Sequence, residues 1–248
     1  MFHQEYWKDF LYRHEDKFSV YIHAKEDPKN DQPLFCTDYQ RIPTVPTEWT
    51  YTMKAQIDLL KQALQDSHNN KFIFISETTI PLQSFDYAYN KLISDKNSRF
   101  RFYENPHLDP SIPAWYLPQR LVTGIPLSKQ YKQSQWIVLN RKHAQLLIDN
   151  ISYLNIPCSC DNELYPASIL ALYNLLDEVT QWDDTYVCWD KYGANGRRPF
   201  TFTHLHEKEE FHAISYACQQ GLLFARKLDE ECDLSLIDQF LRYRKKVT

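Results

Sequence analysis

The sequence predicts an α/β fold with a mainly parallel central sheet flanked by helices. Short runs of β-branched and aromatic residues alternate with segments whose apolar residues recur at helical spacing. The breaks between them are prolines and small polar clusters, with no internal repeat and no low-complexity linker. At 248 residues, the chain can bury a substantial core. A single domain spanning residues 1–248 is the expectation.

The elements follow in order. Phe18 to His23 and Lys71 to Ser76 read as short buried strands. Between them, Thr50 to Asp66 carries Met53, Ile57, Leu60 and Leu64 at helical spacing, with Pro43 and Pro46 punctuating the approach. Pro81 ends the second strand, and Ser84 to Ile93 reads as a helix. Asn97 to Lys132 holds five prolines and predicts a long irregular segment of the kind that forms lids and binding walls. Gln135 to Leu139 is the next strand, followed by helices over Arg141 to Ile151 and Glu163 to Leu176. Thr185 to Trp189 is a short strand, and Glu207 to Gln219 and Leu234 to Tyr243 are further helices. Ligands of such sheets bind at the carboxyl ends of strands, where His23, Ser76-Glu77 and Trp189 stand.

Composition narrows the function. Four glycines, with no GxGxxG and no GxxxxGK[ST], argue against a glycine-rich phosphate loop, so a bound phosphate must be held by side chains. A net charge of −4 gives no support to nucleic-acid binding. The basic run Arg242 to Lys246 reads as a solvated helix end. No apolar run approaches a membrane span, and the first ten residues do not read as a signal peptide. The expected location is cytoplasmic, or the Golgi lumen only if an N-terminal anchor has been removed. Six scattered cysteines do not read as a disulfide scaffold and are expected to be packed thiols. The 17 tyrosines and 6 tryptophans fill cores and also make walls for a sugar or base.

The stretch CSCDNELYPASIL, Cys158 to Leu170, concentrates chemistry-bearing residues. Cys158-x-Cys160 with His204, His206 or His212 lacks the spacing of structural zinc sites, so no metal site is expected. Asp161-Asn162-Glu163 is a loose copy of the Asp-x-Asp pattern that holds divalent ions in nucleotide-sugar enzymes. It precedes a helix, which makes Asp161 or Asn162 the natural N-cap and leaves Glu163 in the first turn without a capping duty.

Seven ordered matches then carry a family resemblance. They are Trp7-Lys-Asp-Phe10 with Tyr21-Ile-His23, Trp49 with Met53, Gln56 and Leu59-Leu60, Ser76-Glu-Thr-Thr-Ile-Pro-Leu82, and Ser134-Gln-Trp136 with Leu139-Asn-Arg141. Asn162-Glu-Leu-Tyr165 with Ser168, Thr185-Tyr-Val-Cys-Trp189 and Leu223-Phe-Ala-Arg-Lys227 complete the series. The chain resembles the core-2/I-branching β-1,6-N-acetylglucosaminyltransferases, glycosyltransferase family 14, with their xylosyltransferase relatives, over nearly its whole length.

The resemblance implies a GT-A-like fold and an inverting, metal-independent transfer of a sugar from a UDP-sugar to a glycan hydroxyl, with N-acetylglucosamine the first choice of sugar. It assigns Glu163 as catalytic base and Lys227, with adjoining Arg226, as the cations for the diphosphate. His23 is a candidate uridine contact, a buried structural histidine being the competing reading. Ser76 and Glu77 are candidates for the sugar or acceptor, and Trp189 for the acceptor. Trp136 reads as core, and Tyr165 is expected to pack beneath Glu163. The family has an apolar strand ahead of the Trp7 segment with no counterpart here, so the expectation is a sheet that either lacks that edge strand or has another element in its place. Asn162 stands where the family has an acid before the base, and Cys188 where it has one before the tryptophan. For a second phosphate-binding cation, spacing brings His204 near the place, with Arg197 and Arg198 nearby. A non-catalytic glycan- or nucleotide-binding protein on the same fold is the alternative.

Overall fold

The computed structural model describes residues 1–24, 39–49, 51–105, 121–154, 160–189 and 198–240. Cys36, Thr50, Cys158, Arg197, the middle of the proline-rich segment and the basic run Arg242 to Lys246 lie outside them.

Among the described residues, helices α1 (Gln4–Leu11), α2 (Met53–Ala63), α3 (Phe85–Ser94), α4 (Arg141–Asp149), α5 (Asp161–Leu172) and α6 (Lys208–Gln219) alternate with eleven short strands. The first strands are β1 (Val20–Ile22), β2 (Tyr39–Arg41), β3 (Lys71–Ile73), β4 (Ile80–Pro81), β5 (Ser98–Arg99) and β6 (Phe102–Glu104). They are followed by β7 (Tyr131–Gln133), β8 (Val138–Asn140), β9 (Val179–Thr180), β10 (Thr185–Val187) and β11 (Phe224–Arg226).

Local chemistry explains several boundaries. The predicted periodicity buries Met53, Ile57 and Leu60 of α2. Ser84 caps α3 by accepting from the Tyr87 N–H, and Asn140 caps α4 by accepting from the His143 N–H. α5 stops at Leu172, before the predicted Leu176, because Asn174 turns left-handed at φ 56°.

The α/β class stands, with a mixed strand arrangement. One sheet runs β3-β8-β5-β9, a second β10-β11-β4, and β1-β2 and β6-β7 form pairs. Three of the described pairings are parallel and four antiparallel, against the expected mainly parallel sheet. Alternating strand and helix patterns specify direction only when each strand pairs with the next in sequence; here β3 skips to β8 and β4 to β11. The stretch expected to be irregular supplies β5, β6 and β7, whose two or three residues are too few to show a period.

One core cluster joins α2, β3, β8, α4 and α5; another joins β4, β10, α6 and β11 and includes Cys188, Cys218 and Cys232. A third, around α1 and α3, takes Val138 from β8 and Leu223 and Phe224 from the β11 side. No described helix is long and apolar enough to cross a membrane.

Candidate active site

The carboxyl end of β11 is where several candidate residues meet. β11 lies between β10, parallel to it, and β4, antiparallel. Parallel pairing with Val187 opposite Arg226 sets the ends of β10 and β11 side by side, so Trp189 follows one strand and Lys227 the other. Antiparallel pairing to β4 brings the Ser76–Thr79 turn to the same end, where Leu228 N–H donates to the Thr78 carbonyl at 3.0 Å. Thr78 and Thr79 are buried, while Ser76 is half-buried and Glu77 exposed.

Arg226 is held here by two neighbours. Its Nε donates to Ser76 Oγ at 3.3 Å, and its guanidinium lies 4.1 Å over the Trp136 ring. Burial pushes the guanidinium down to about 10, with Glu77 opposing the shift. Trp136 is therefore half-buried platform rather than core. Lys227 is half-buried, and its carbonyl accepts from the Phe202 N–H at 2.8 Å.

Glu163 sits in the first turn of α5, where the helix dipole favours an anion. Its Oε2 lies 3.1 Å from Lys132 Nζ, and both side chains are about a quarter exposed (27% and 25%). Among the described residues, Oε1 has no hydrogen bond or ion pair. Burial disfavours the Lys132 charge, yet Glu163 and, less strongly, Tyr103 and Cys160 raise its pKa above the ordinary lysine value. Sequence reading missed Lys132, because nothing local marks a lysine that pairs 31 positions away.

β7 runs beside the first half of α5 and is fastened to it residue by residue. Ser168 Oγ accepts from Tyr131 N–H at 2.9 Å, Lys132 takes Glu163, and Gln133 Nε2 donates to the Asn162 carbonyl at 2.8 Å. The last bond repairs a defect. Pro166 lacks the N–H that would bond Asn162, and the Gln133 side chain supplies it, while its Oε1 accepts from Ala167 N–H at 3.3 Å. Asn162 Nδ2 donates to Gln135 Oε1, and Gln135 adjoins Trp136, so one short path of contacts leads from the Glu163 turn to Arg226.

The expected cap is corrected. Cys160, with left-handed φ of 62°, is the N-cap of α5 and has no side-chain bond to it. Asp161 instead accepts from the N–H groups of Thr52 and Met53, each at 3.1 Å, and so caps α2. Burial raises its pKa above the ordinary carboxylate value, opposed by those N–H bonds. Asn162 orients by its bond to Gln135 rather than by capping. Tyr165 is fully buried, and its hydroxyl donates to the Leu147 carbonyl of α4 at 2.5 Å. Two residues along a helix is more than half a turn, which turns Tyr165 away from Glu163.

Other candidates stand apart. His23 Nε2 accepts from the Val45 N–H at 3.1 Å, fastening the segment after β2 to the end of β1. His204 is exposed in the approach to α6, its N–H donating to the buried Glu210 carboxylate at 3.0 Å. The His204 ring meets the His206 ring edge to face at 5.5 Å, and among the described residues neither His23 nor His204 makes a hydrogen bond or ion pair with Glu163, Arg226 or Lys227. Trp189 is 52% exposed, and Cys188 is buried in the second core cluster. The described residues hold no group of three His, Cys, Asp or Glu that could bind a metal.

Comparison with known proteins adds an independent finding. Residues 3–215 match the family model of the Core-2/I-Branching enzyme. Among curated proteins, glycosyltransferase BC10 of Oryza sativa subsp. japonica is 24% identical over 243 residues, covering 82% of this chain and 55% of the relative. The chain therefore spans about half the length of that relative. A match over most of the chain, in a sequence carrying the family's ordered motifs, places this protein in the core-2/I-branching enzyme family.

Proposed function

We propose that the chain is an inverting glycosyltransferase domain that moves a sugar, N-acetylglucosamine first, from a UDP-sugar to a glycan hydroxyl. The observation that carries this reading is the half-buried Glu163, with one carboxylate oxygen committed to Lys132 and the other uncommitted among the described residues. A general base requires this arrangement: it must be ionised, fixed and open on one side.

In the proposed step, the acceptor hydroxyl gives its proton to Glu163 as its oxygen bonds to the sugar's anomeric carbon. The bond from that carbon to the phosphate oxygen breaks, its electron pair leaves with UDP, and the anomeric centre inverts. Charge developing on the diphosphate needs fixed cations, and Lys227 and Arg226 are the proposed pair. With those cations no metal is needed. Trp189, Ser76 and Glu77 are the proposed sugar and acceptor contacts. Membership of the family and the naming of the relative as a glycosyltransferase both support this reading.

Glu163→Gln keeps the shape of the side chain and removes its basicity. It is expected to lower UDP release from UDP-N-acetylglucosamine at least a hundredfold, with UDP affinity within about twofold of wild type. EDTA is expected to leave the wild-type rate unchanged. Wild-type turnover by Glu163→Gln would remove the base assignment, and strong inhibition by EDTA would contradict the metal-free mechanism. The apolar setting of Cys188 favours a second reading, a non-catalytic binder. UDP-sugar binding without UDP release, across a panel of sugars, would select it.

A further inference from the structure

The ion pair between Lys132 and Glu163 is not required by the fold of either element. β7 is already fastened to α5 by Ser168 and by the two-ended Gln133 bridge on either side of Lys132. Exposed ion pairs add little to stability, and this pair is a quarter exposed at each end. Yet Lys132 is held in place from two directions. Its strand is pinned to the helix carrying Glu163, and it stands directly opposite Tyr103 of β6 in the antiparallel register. The cation meets one oxygen of the carboxylate and leaves the other uncommitted among the described residues.

We propose that Lys132 is the positioning residue of the base: it anchors Glu163 through Oε2 and presents Oε1 to the acceptor hydroxyl. This rests on the reading of Glu163 as base. One consequence follows from the chemistry: anchoring one oxygen restricts the side chain to a single direction of approach. Among the described residues, the charged and titratable groups around the pair are few. Lys132 comes from β7 and Tyr103 from β6, while Cys160 and Asp161 flank Glu163 on its own segment. Lys54 of α2 acts on Asp161. Among the described residues, Lys132 is the group in ion-pair contact with Glu163.

The test uses Lys132→Met, which keeps much of the side chain's length, and Lys132→Arg, which keeps the charge. UDP release from UDP-N-acetylglucosamine is followed over a range of donor concentrations, which separates the rate from the donor KM. In Lys132→Met the rate at pH 7 is expected to fall about tenfold, with the donor KM unchanged. Lys132→Arg is expected to recover most of the rate. A Lys132→Met rate within about twofold of wild type overturns the proposal, as does a folded Lys132→Arg that recovers none of the loss. The base reading fails separately, through an active Glu163→Gln. Folding of each variant is read from its circular dichroism spectrum, and Lys132→Arg decides the outcome if Lys132→Met is unfolded.

Discussion

Arg226 shows how a single side chain can be prepared for an anion. Its guanidinium is desolvated enough to fall to about 10, yet among the described residues it has, in place of a close carboxylate, the face of Trp136 and the Ser76 hydroxyl. A diphosphate would supply the missing counter-charge. Lys227, next in sequence, is half-buried at the same strand end. Lys227→Ala and Arg226→Met are each expected to weaken UDP binding about tenfold to a hundredfold, the usual range for a lost charged hydrogen bond. Calorimetric titration with UDP checks this, and an unchanged affinity in both variants would remove the diphosphate role. The Arg-Lys pair was legible in the sequence as part of a motif. Its partner was not, because Trp136 lies 90 positions earlier and reads locally as a strand residue facing the core.

At the scale of the element, α5 is a buried helix repaired from outside. Its residues from Leu164 to Ala171 are all buried, so it packs on every side and shows no amphipathic stripe. Pro166 interrupts its bonding, and the Gln133 amide closes the gap at both ends. Gln133→Ala is expected to cost about 1–3 kcal/mol by leaving the buried Asn162 carbonyl unsatisfied. On a Pro166→Ala background the same change is expected to cost less, because an alanine in place of the proline restores the missing N–H. Urea unfolding of the two single variants and the double variant measures the coupling, and additive effects would contradict the repair. Here too local pattern reached only part of the structure. The spacing of Met53, Ile57 and Leu60 and the caps at Ser84 and Asn140 concern contacts within one helix, and the sequence displays them. β5, β6 and β7 are held by partners distant in sequence. Asp161 looks like a local cap because an acid before a helix usually is one; its actual bond crosses to another helix.

Across the whole molecule, a buried charge cluster ties the two larger sheets together. Arg99 of β5 grips Asp184, just ahead of β10, through Nε at 2.6 Å and Nη2 at 3.1 Å. Asp95 takes Nη1 at 2.6 Å, and Lys91 approaches Asp184 to 3.5 Å. The Arg99 and Asp184 side chains are 7% and 1% exposed, so removing one partner strands the other away from water. Arg99→Met is expected to destabilise the fold by about 3–5 kcal/mol, measured by urea unfolding. A cost below about 1 kcal/mol would mean that Lys91 suffices as counter-ion. The α/β class was legible because helix and strand periods alternate. The sheet directions were not, because they depend on which distant strands meet.

The bond from Asp161 to the start of α2 also bears on how the chain is made. A ribosome delivers the N–H groups of Thr52 and Met53 more than a hundred residues before it delivers the carboxylate that accepts them. Until then α2 must stand with those donors in water, and β4 likewise waits for β11, which arrives later still. The amino-terminal half is therefore built to remain unfinished during synthesis. Emergence of the Asp161 segment is what lets the start of α2 close.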